Sequence, residues 1–466
     1  MNPERFKPLI FVAAGLLTGL GVVDNFFSIF GLICLAPLGI ELKNSWKFSS
    51  AILIFLYLMS YHLAIASRLM MVPDARIGTL LLFLSLLLSL LFLIPAALIK
   101  TSPWLRKLPT YFLLPLCWLC FELILSVATR LLFGSEFPNL LQLIAIGVPS
   151  IRLLLGCFQF GGATVFVCLV NGLAVDLAFA YQNRSKKHLA ILVSVPLTLL
   201  FFSVIFAQVR DYRTDNSKEK LNVVIVPVSL SSESLGILEE FLTEGDSERV
   251  DIVVWPETAL TVDLRDKNDE TAIIADQLRE ALILGEKFEF AQFVGVCLIK
   301  NSGKFNTTLT ISPDGGMVRH DKQHLFPFFE YFPPLFRWVE DFNLIFTGVT
   351  SRFSCPVHTA QRIGLNVRGK SFTVNPLVCY DVCFFDTETG ESSINLNIGR
   401  ESFDPTGTIG KISLAYSKLQ ALVSDAPLVR CVAESWCGVI YPDGRHLGQM
   451  DSKDGKMQPI LVTVEF

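Results

Sequence analysis

The sequence predicts a two-part protein. An α-helical transmembrane bundle of about seven spans occupies residues 1–209, a polar linker 210–220, and an extracytoplasmic α/β domain 221–466. Three observations carry this prediction. Of 466 residues, 52% are hydrophobic and only 18% charged, an apolar balance for a soluble chain. Charges are sparse up to about Gln208 and reach ordinary density after it. The apolar segments of the first half approach the ~20 residues that cross a bilayer. Those of the second half are short and alternate with helical spacing, as in layered α/β domains. A net charge of −4 with no dense Lys/Arg run excludes nucleic acid as a partner.

The spans are 8–23, 26–41, 49–71, 78–99, 110–132, 157–181 and 189–208. Pro37 weakens the second, and Asp24-Asn25 suits a tight hairpin between the first two. Segment 133–156, with Pro138, Gly147 and Pro149, reads as an interfacial loop rather than an eighth crossing. Arg5 and Lys7, then Lys43 and Lys47, then Lys100, Arg106 and Lys107, then Arg184, Lys186 and Lys187 all fall on one side of the bundle. The excess of Lys and Arg marks that side as cytoplasmic. The chain beyond Gln208 is then outside, which in a Gram-negative cell is the periplasmic face of the inner membrane. His62, Glu122 and Asp176 are ionisable groups within spans, and packed polar contacts between helices are the expected role of each.

In the second half, 221–227, 250–255, 293–299, 307–312, 372–378, 393–398 and 438–441 read as strands. Helical spacing covers 231–242, 271–284 and 408–423. Pro313-Asp314-Gly315-Gly316 and Pro442-Asp443-Gly444 carry turn chemistry. The terminal stretch from Gln458 to Phe466 is strand-like.

Three residues sit where chemistry could use them, two of them, Glu257 and Cys379, just after strand ends. Glu257 follows the buried run to Trp255, Lys322 follows Arg319-His320-Asp321, and Cys379 follows Pro376-Leu377-Val378. A carboxylate near a thiol can take its proton, and a nearby lysine offsets oxyanion charge at a carbonyl under attack. Such a set suits acyl transfer through a thioester. Taken singly, each residue has a plainer reading: a cysteine at a strand end is usually a small packed hydrophobe, and Glu and Lys usually face solvent. Cys383, Cys431 and Cys437 read as core or disulfide residues, and His324 as a residue that positions the Lys322 loop. The eleven cysteines form no Cys/His grid, and no metal or cofactor motif is present.

Motifs join these residues. Trp255-Pro256-Glu257-Thr258-Ala259, then Asp321-Lys322-Gln323-His324-Leu325-Phe326-Pro327-Phe328-Phe329-Glu330-Tyr331-Phe332-Pro333, then Cys379-Tyr380-Asp381 resemble the nitrilase (carbon–nitrogen hydrolase) superfamily. They look most like its membrane-bound branch, the apolipoprotein N-acyltransferases. Phe305-Asn306-Thr307 is similar to that branch's Tyr-Asn-Ser, and Glu122, Arg130 and Phe137-Pro138 to part of its membrane region. The resemblance implies a nitrilase-like α-β-β-α sandwich after the bundle. It implies Glu257 as general base, Lys322 as oxyanion stabiliser, Cys379 as nucleophile and Glu330 as a second essential carboxylate. The backbone N–H of Tyr380 would complete the oxyanion hole. It further implies a phospholipid acyl donor, an apolipoprotein acceptor and no cofactor.

The sequence departs from the pattern at several places. Phe329 replaces a Gly, Asp381 a Glu, and Arg400-Glu401-Ser402-Phe403 stands for Asn-Asp-Ala-Trp. Gln420-Ala421-Leu422-Val423 stands for Arg-Ala-x-Glu and lacks its acid, and Val432-Ala433-Glu434-Ser435 replaces Thr-Asn-x-Gly. Two alternatives follow from these changes: an amidase or acyltransferase for another amine, and a non-catalytic paralogue that binds lipid or an envelope partner.

Overall fold

The computed structural model describes residues 6–23, 25–43, 47–69, 75–133, 138, 140–146 and 159–183 of the first half. In the second half it describes 219–244, 250–263, 269–301, 303–326, 330–331, 353–354, 362–384, 393–401, 407–450 and 459–466. The chain divides into two compact units, one holding the described helices up to Gln182 and the other the described residues from Glu219.

The first unit contains α1 (Lys7–Val23), α2 (Asn25–Cys34), α3 (Ala36–Lys43), α4 (Phe48–Leu69), α5 (Ala75–Thr101), α6 (Thr110–Phe133) and α7 (Gln159–Gln182). Among the described residues four stretches are long and apolar enough to cross a membrane: Phe48–Ser67, Leu82–Thr101, Thr110–Leu131 and Ala163–Gln182. Lys7–Val23 is a shorter apolar helix. The expected span 189–208 lies outside the described residues.

The expected second span is two helices rather than one. Pro37 stands in the first turn of α3, where a proline ring interferes with the preceding helical turn. At the break, Asn171 of α7 inserts its amide between Leu35 and Gly31. It accepts the Leu35 N–H at 2.9 Å and donates to the Gly31 carbonyl at 3.3 Å. Both backbone groups freed by the broken turn are therefore satisfied where water cannot reach them.

Glycines set the contact between α1 and α4. A Cβ on Gly15 would lie 2.2 Å from the Tyr57 carbonyl oxygen, and one on Gly19 would lie 2.3 Å from that of Tyr61. Spacing small residues by four lets two helix backbones touch. Between the two glycines, Thr18 Oγ1 meets Tyr57 Oη at 2.7 Å. The ionisable residues within spans make polar contacts. His62 Nδ1 lies 3.1 Å from Ser89 Oγ. Asp176 accepts from Lys43 Nζ at 3.2 Å, from Thr110 Oγ1 at 2.7 Å and from the Tyr111 N–H at 3.2 Å. Lys100, also buried, donates to the Glu41 side chain at 3.1 Å.

The second unit is built on two sheets. The first has the order β13-β1-β2-β4-β5-β6, with β3 (Leu260–Asp263) paired to β4. Its members are β1 (Lys220–Ile225), β2 (Ile252–Val254), β4 (Ala291–Lys300), β5 (Gly303–Ile311), β6 (Met317–Asp321) and β13 (Ile460–Glu465). The second sheet runs β12-β11-β10-β9-β8-β7, made of β7 (Ile363–Val367), β8 (Lys370–Val378), β9 (Ile394–Arg400), β10 (Leu428–Ala433), β11 (Trp436–Ile440) and β12 (His446–Met450). Helices α8 (Ser232–Glu244) and α9 (Asp269–Phe288) form the crossovers between parallel β1, β2 and β4. Helix α10 (Thr408–Ser424) links β9 to its parallel neighbour β10.

Period-two alternation assigns the faces. Leu221, Val223 and Ile225 of β1 share one core with Val374, Val378, Leu396 and Ile398 of the other sheet. Val224 and Val226 point the opposite way, into a second core with Leu235, Leu238 and Leu242 of α8. Ser231 caps α8 by accepting the Ser234 N–H at 3.1 Å. The Pro313–Gly316 turn closes β5 onto β6, with Gly315 at φ 83° donating its N–H to the Ser312 carbonyl.

Replacing Gly19 by isoleucine is expected to cost about 1–3 kcal/mol through overpacking against α4. A thermal-shift measurement on detergent-solubilised protein checks this, and an unchanged midpoint contradicts the close contact.

Candidate active site

Strand register explains how distant residues meet. β2 and β4 are parallel, and β5 and β6 run back and forth from β4, so β2 and β6 end at the same edge. Glu257 and Lys322 follow those ends. In the other sheet β8, β9 and β10 are mutually parallel, and Cys379 follows β8. Among the bonds that tie the two sets of ends, the N–H of Arg400, the last residue of β9, donates to Glu257 Oε2 at 3.1 Å.

Lys322 is the centre of the site, with 2% of its surface exposed. Its Nζ lies 3.2 Å from Glu257 Oε1 and 2.8 Å from the Glu330 carboxylate. Asn306, whose carbonyl accepts the Lys322 N–H at 2.8 Å, donates its side-chain amide to both acids, at 2.5 Å to Glu257 and 2.9 Å to Glu330. The other Glu330 oxygen accepts the Phe326 N–H at 2.7 Å. Burial alone would push Lys322 down, but the charges of Glu257, Glu330 and Asp381, joined by Cys379 whenever its thiol ionises, outweigh it and hold the ammonium well above the usual lysine range. Glu330 is pushed up, mainly by burial and less by Glu257, with Lys322 opposing.

Cys379 opens a short 3-10 turn, Cys379–Cys383, at φ 49°. A left-handed conformation costs a non-glycine residue about 1–2 kcal/mol. It turns the chain out of the ladder at the strand end and leaves the thiol half-buried. Thr258, next to Glu257, has φ 51°, so the backbone is strained beside both groups. Gly295 of β4 makes room for the acid: a Cβ there would lie 2.1 Å from the Pro256 carbonyl oxygen and 2.7 Å from Glu257 Cα. Burial, then the Glu257 charge, push the Cys379 thiol well above its ordinary value, while Lys322 pulls it down.

Asp381 fastens the pieces. It accepts the N–H of Val378 at 3.2 Å, of Gln323 at 3.2 Å and of His324 at 2.7 Å, and contacts His324 Nδ1 at 3.1 Å. Burial opposes its charge, but His324, Lys322 and His320 together hold it below the usual carboxylate range. His324 stacks on Phe384 with ring centroids 4.0 Å apart, so it anchors the Lys322 loop to the Cys379 turn. Tyr380 is buried, its ring edge-on to Phe326 and Phe384.

The structure thus gathers Glu257, Lys322 and Glu330 from the strand ends of one sheet beside the Cys379-Tyr380 turn at the strand end of the other. Sequence reasoning passed over Asn306 as a site residue, although it lies in the quoted Phe305-Asn306-Thr307 stretch. It also passed over Arg430, a fully buried cation on β10 that pairs with Glu401 at 2.7 Å. Glu401, the residue after β9, supplies its counter-ion. Phe329 lies outside the described residues. The cysteines among the described residues, Cys383, Cys431 and Cys437 included, are free thiols. No cluster of metal-ligating side chains occurs among the described residues.

No protein-family model matches the chain. An apolipoprotein N-acyltransferase of Sinorhizobium fredii is 29% identical over 194 residues, 40% of this chain and 35% of the relative. One of Brucella suis is 25% identical over 370 residues, 71% of this chain and 64% of the relative. The chain is thus similar, at 25–29% identity, to curated apolipoprotein N-acyltransferases. The matches span 35% to 64% of these two relatives' own lengths. Among solved structures, a CN-hydrolase superfamily protein of Xanthomonas campestris aligns with a TM-score of 0.36 at 18% identity, over 53% of this chain and 91% of that one. A carbon–nitrogen hydrolase of Helicobacter pylori aligns with a TM-score of 0.39 at 12% identity, over 53% and 89%.

Because the folded Cys379 thiol titrates above its ordinary value, its thiolate fraction is small at neutral pH and grows with alkali. Alkylation by iodoacetamide, read on the Cys379 peptide by mass spectrometry, is expected to keep rising through pH 9. A plateau below pH 8 contradicts the assignment.

Proposed function

We propose that this protein is an inner-membrane acyltransferase. It moves a fatty acyl chain from a phospholipid, through a thioester on Cys379, to the N-terminal amine of the diacylglyceryl-cysteine of an apolipoprotein. The observation that carries this reading is Lys322, buried between Glu257 at 3.2 Å and Glu330 at 2.8 Å, with its loop tied through Asp381 to the turn that opens at Cys379. The similarity to apolipoprotein N-acyltransferases and the long apolar helices support it. The nitrilase-type α-β-β-α sandwich, the seven spans and a periplasmic second unit belong to the same proposal.

In the first half-reaction, Glu257 takes the Cys379 proton as sulfur attacks the ester carbonyl of the phospholipid. The oxyanion that forms is stabilised by the Lys322 ammonium and the Tyr380 N–H. Its collapse breaks the ester bond, and Glu257 returns the proton to the departing glycerol oxygen. A thioester and a lysophospholipid result. In the second half-reaction, the acceptor amine attacks the thioester and passes a proton to Glu257. Collapse forms the amide, and the thiolate recovers the proton. Glu330 and Asn306 keep Lys322 and Glu257 aligned through both halves.

Complementation of a strain depleted of its own N-acyltransferase tests the reading. Wild type is expected to restore growth and triacylated lipoproteins, and Cys379→Ala to restore neither. Glu257→Gln is expected to lower transfer at least ~100-fold, the worth of a general base. Lipoproteins left diacylated by the wild type favour another amine acceptor, and full complementation by Cys379→Ala overturns the proposal.

A further inference from the structure

Behind the nucleophile, on the face of the second sheet that meets α10, lies a buried polar relay. Arg430 of β10 is fully buried and spends its donors in fixed directions: Nη1 on Asn397 Oδ1 at 2.9 Å, Nη2 on Glu401 Oε1 at 2.7 Å, and Nε on the Trp436 carbonyl at 3.1 Å. Guanidinium only donates, so the Asn397 atom facing it is the oxygen. The Asn397 amide nitrogen must then face the two carbonyls beyond it, those of Leu377 at 3.2 Å and Cys379 at 3.4 Å. The orientation of this asparagine is fixed by the chemistry of its partners.

The bond to Cys379 has a geometric consequence. The Cys379 carbonyl and the Tyr380 N–H belong to one planar trans peptide unit and point in opposite directions. Cys379 stands at φ 49°, one residue past the β8–β9 pairing that ends at Val378, so beyond the ladder its peptide plane is set by the 3-10 turn it opens and by Asn397. Asn397 holds it by its oxygen and thereby aims the Tyr380 N–H. We propose that Asn397, fixed by Arg430 and its counter-ion Glu401, is a positioning residue that sets the direction of the backbone oxyanion donor. This rests on the function proposed above, in which the Tyr380 N–H receives the oxyanion.

The role separates two reactions of the same thiol. Acylation passes through an oxyanion, whereas alkylation by iodoacetamide is a displacement at carbon that forms none. In Asn397→Asp the carboxylate still accepts from Arg430 but turns an oxygen toward the Cys379 carbonyl, and the repulsion rotates the peptide plane. With p-nitrophenyl palmitate as acyl donor in detergent micelles, the Cys379-dependent nitrophenol burst is expected to slow at least tenfold. Alkylation of Cys379 at pH 9 is expected to stay within twofold of wild type. Asn395→Asp provides a control two residues along the same face, where the side chain meets Ser424 and Asn375, and is expected to leave the burst unchanged. If Asn397→Asp fails to accumulate, Asn397→Ser, too short to reach the carbonyl, is read the same way. A wild-type burst rate in the variant, or equal losses in acylation and alkylation, overturns the positioning role. A wild-type protein with no Cys379-dependent burst overturns the proposed function and this inference with it.

Discussion

The site depends on one buried cation. Lys322 has almost no exposed surface, and its ammonium is sustained by Glu257 and Glu330 at hydrogen-bond distance. Taking such charges out of water is costly, and removing one partner of a buried pair typically costs about 3–5 kcal/mol. The surroundings are arranged so that none of the three stands alone. Asn306 bridges the two acids, the Phe326 and Arg400 N–H groups cover their outer oxygens, and Gly295 leaves space for Glu257 to approach. The cluster adds little net stability, but it fixes a base and a cation beside one thiol.

The second constraint is directional. Both sheets deliver their residues from strand ends at the same edge, and short polar ties join those ends: Arg400 to Glu257, and Asp381 to both Val378 and the Lys322 loop. Strain at Cys379 and Thr258 is tolerated because these ties over-determine the local backbone. The result is a thiol whose proton is held by burial and by the Glu257 charge, with the Lys322 ammonium opposing.

Much of this was legible in the sequence. Continuous apolar runs that stop abruptly at Glu257 and Cys379 read as buried strands, and the structure gives β2 and β8 there. The edge strand β7, with its buried-exposed alternation, escaped notice because five residues carry little signal. So did β10, because Arg430 in its middle reads as a surface charge until Glu401 is brought opposite from 29 positions away. The same applies to the second apolar segment of the helical unit. Composition cannot foresee that Asn171 enters the turn at Leu35 and lets one expected span become two helices. Local pattern revealed the groups of the candidate site. The groups that hold them in place are paired across long sequence separations and became visible only in three dimensions.

The central claim is that Cys379 carries the acyl chain. The most direct measurement incubates purified protein with phosphatidylethanolamine of defined acyl composition, without acceptor, and maps adducts by peptide mass spectrometry. The account predicts one fatty acyl group on the Cys379 peptide, released by neutral hydroxylamine as a thioester should be. An unmodified Cys379 peptide, or an acyl group found on another cysteine, would contradict it.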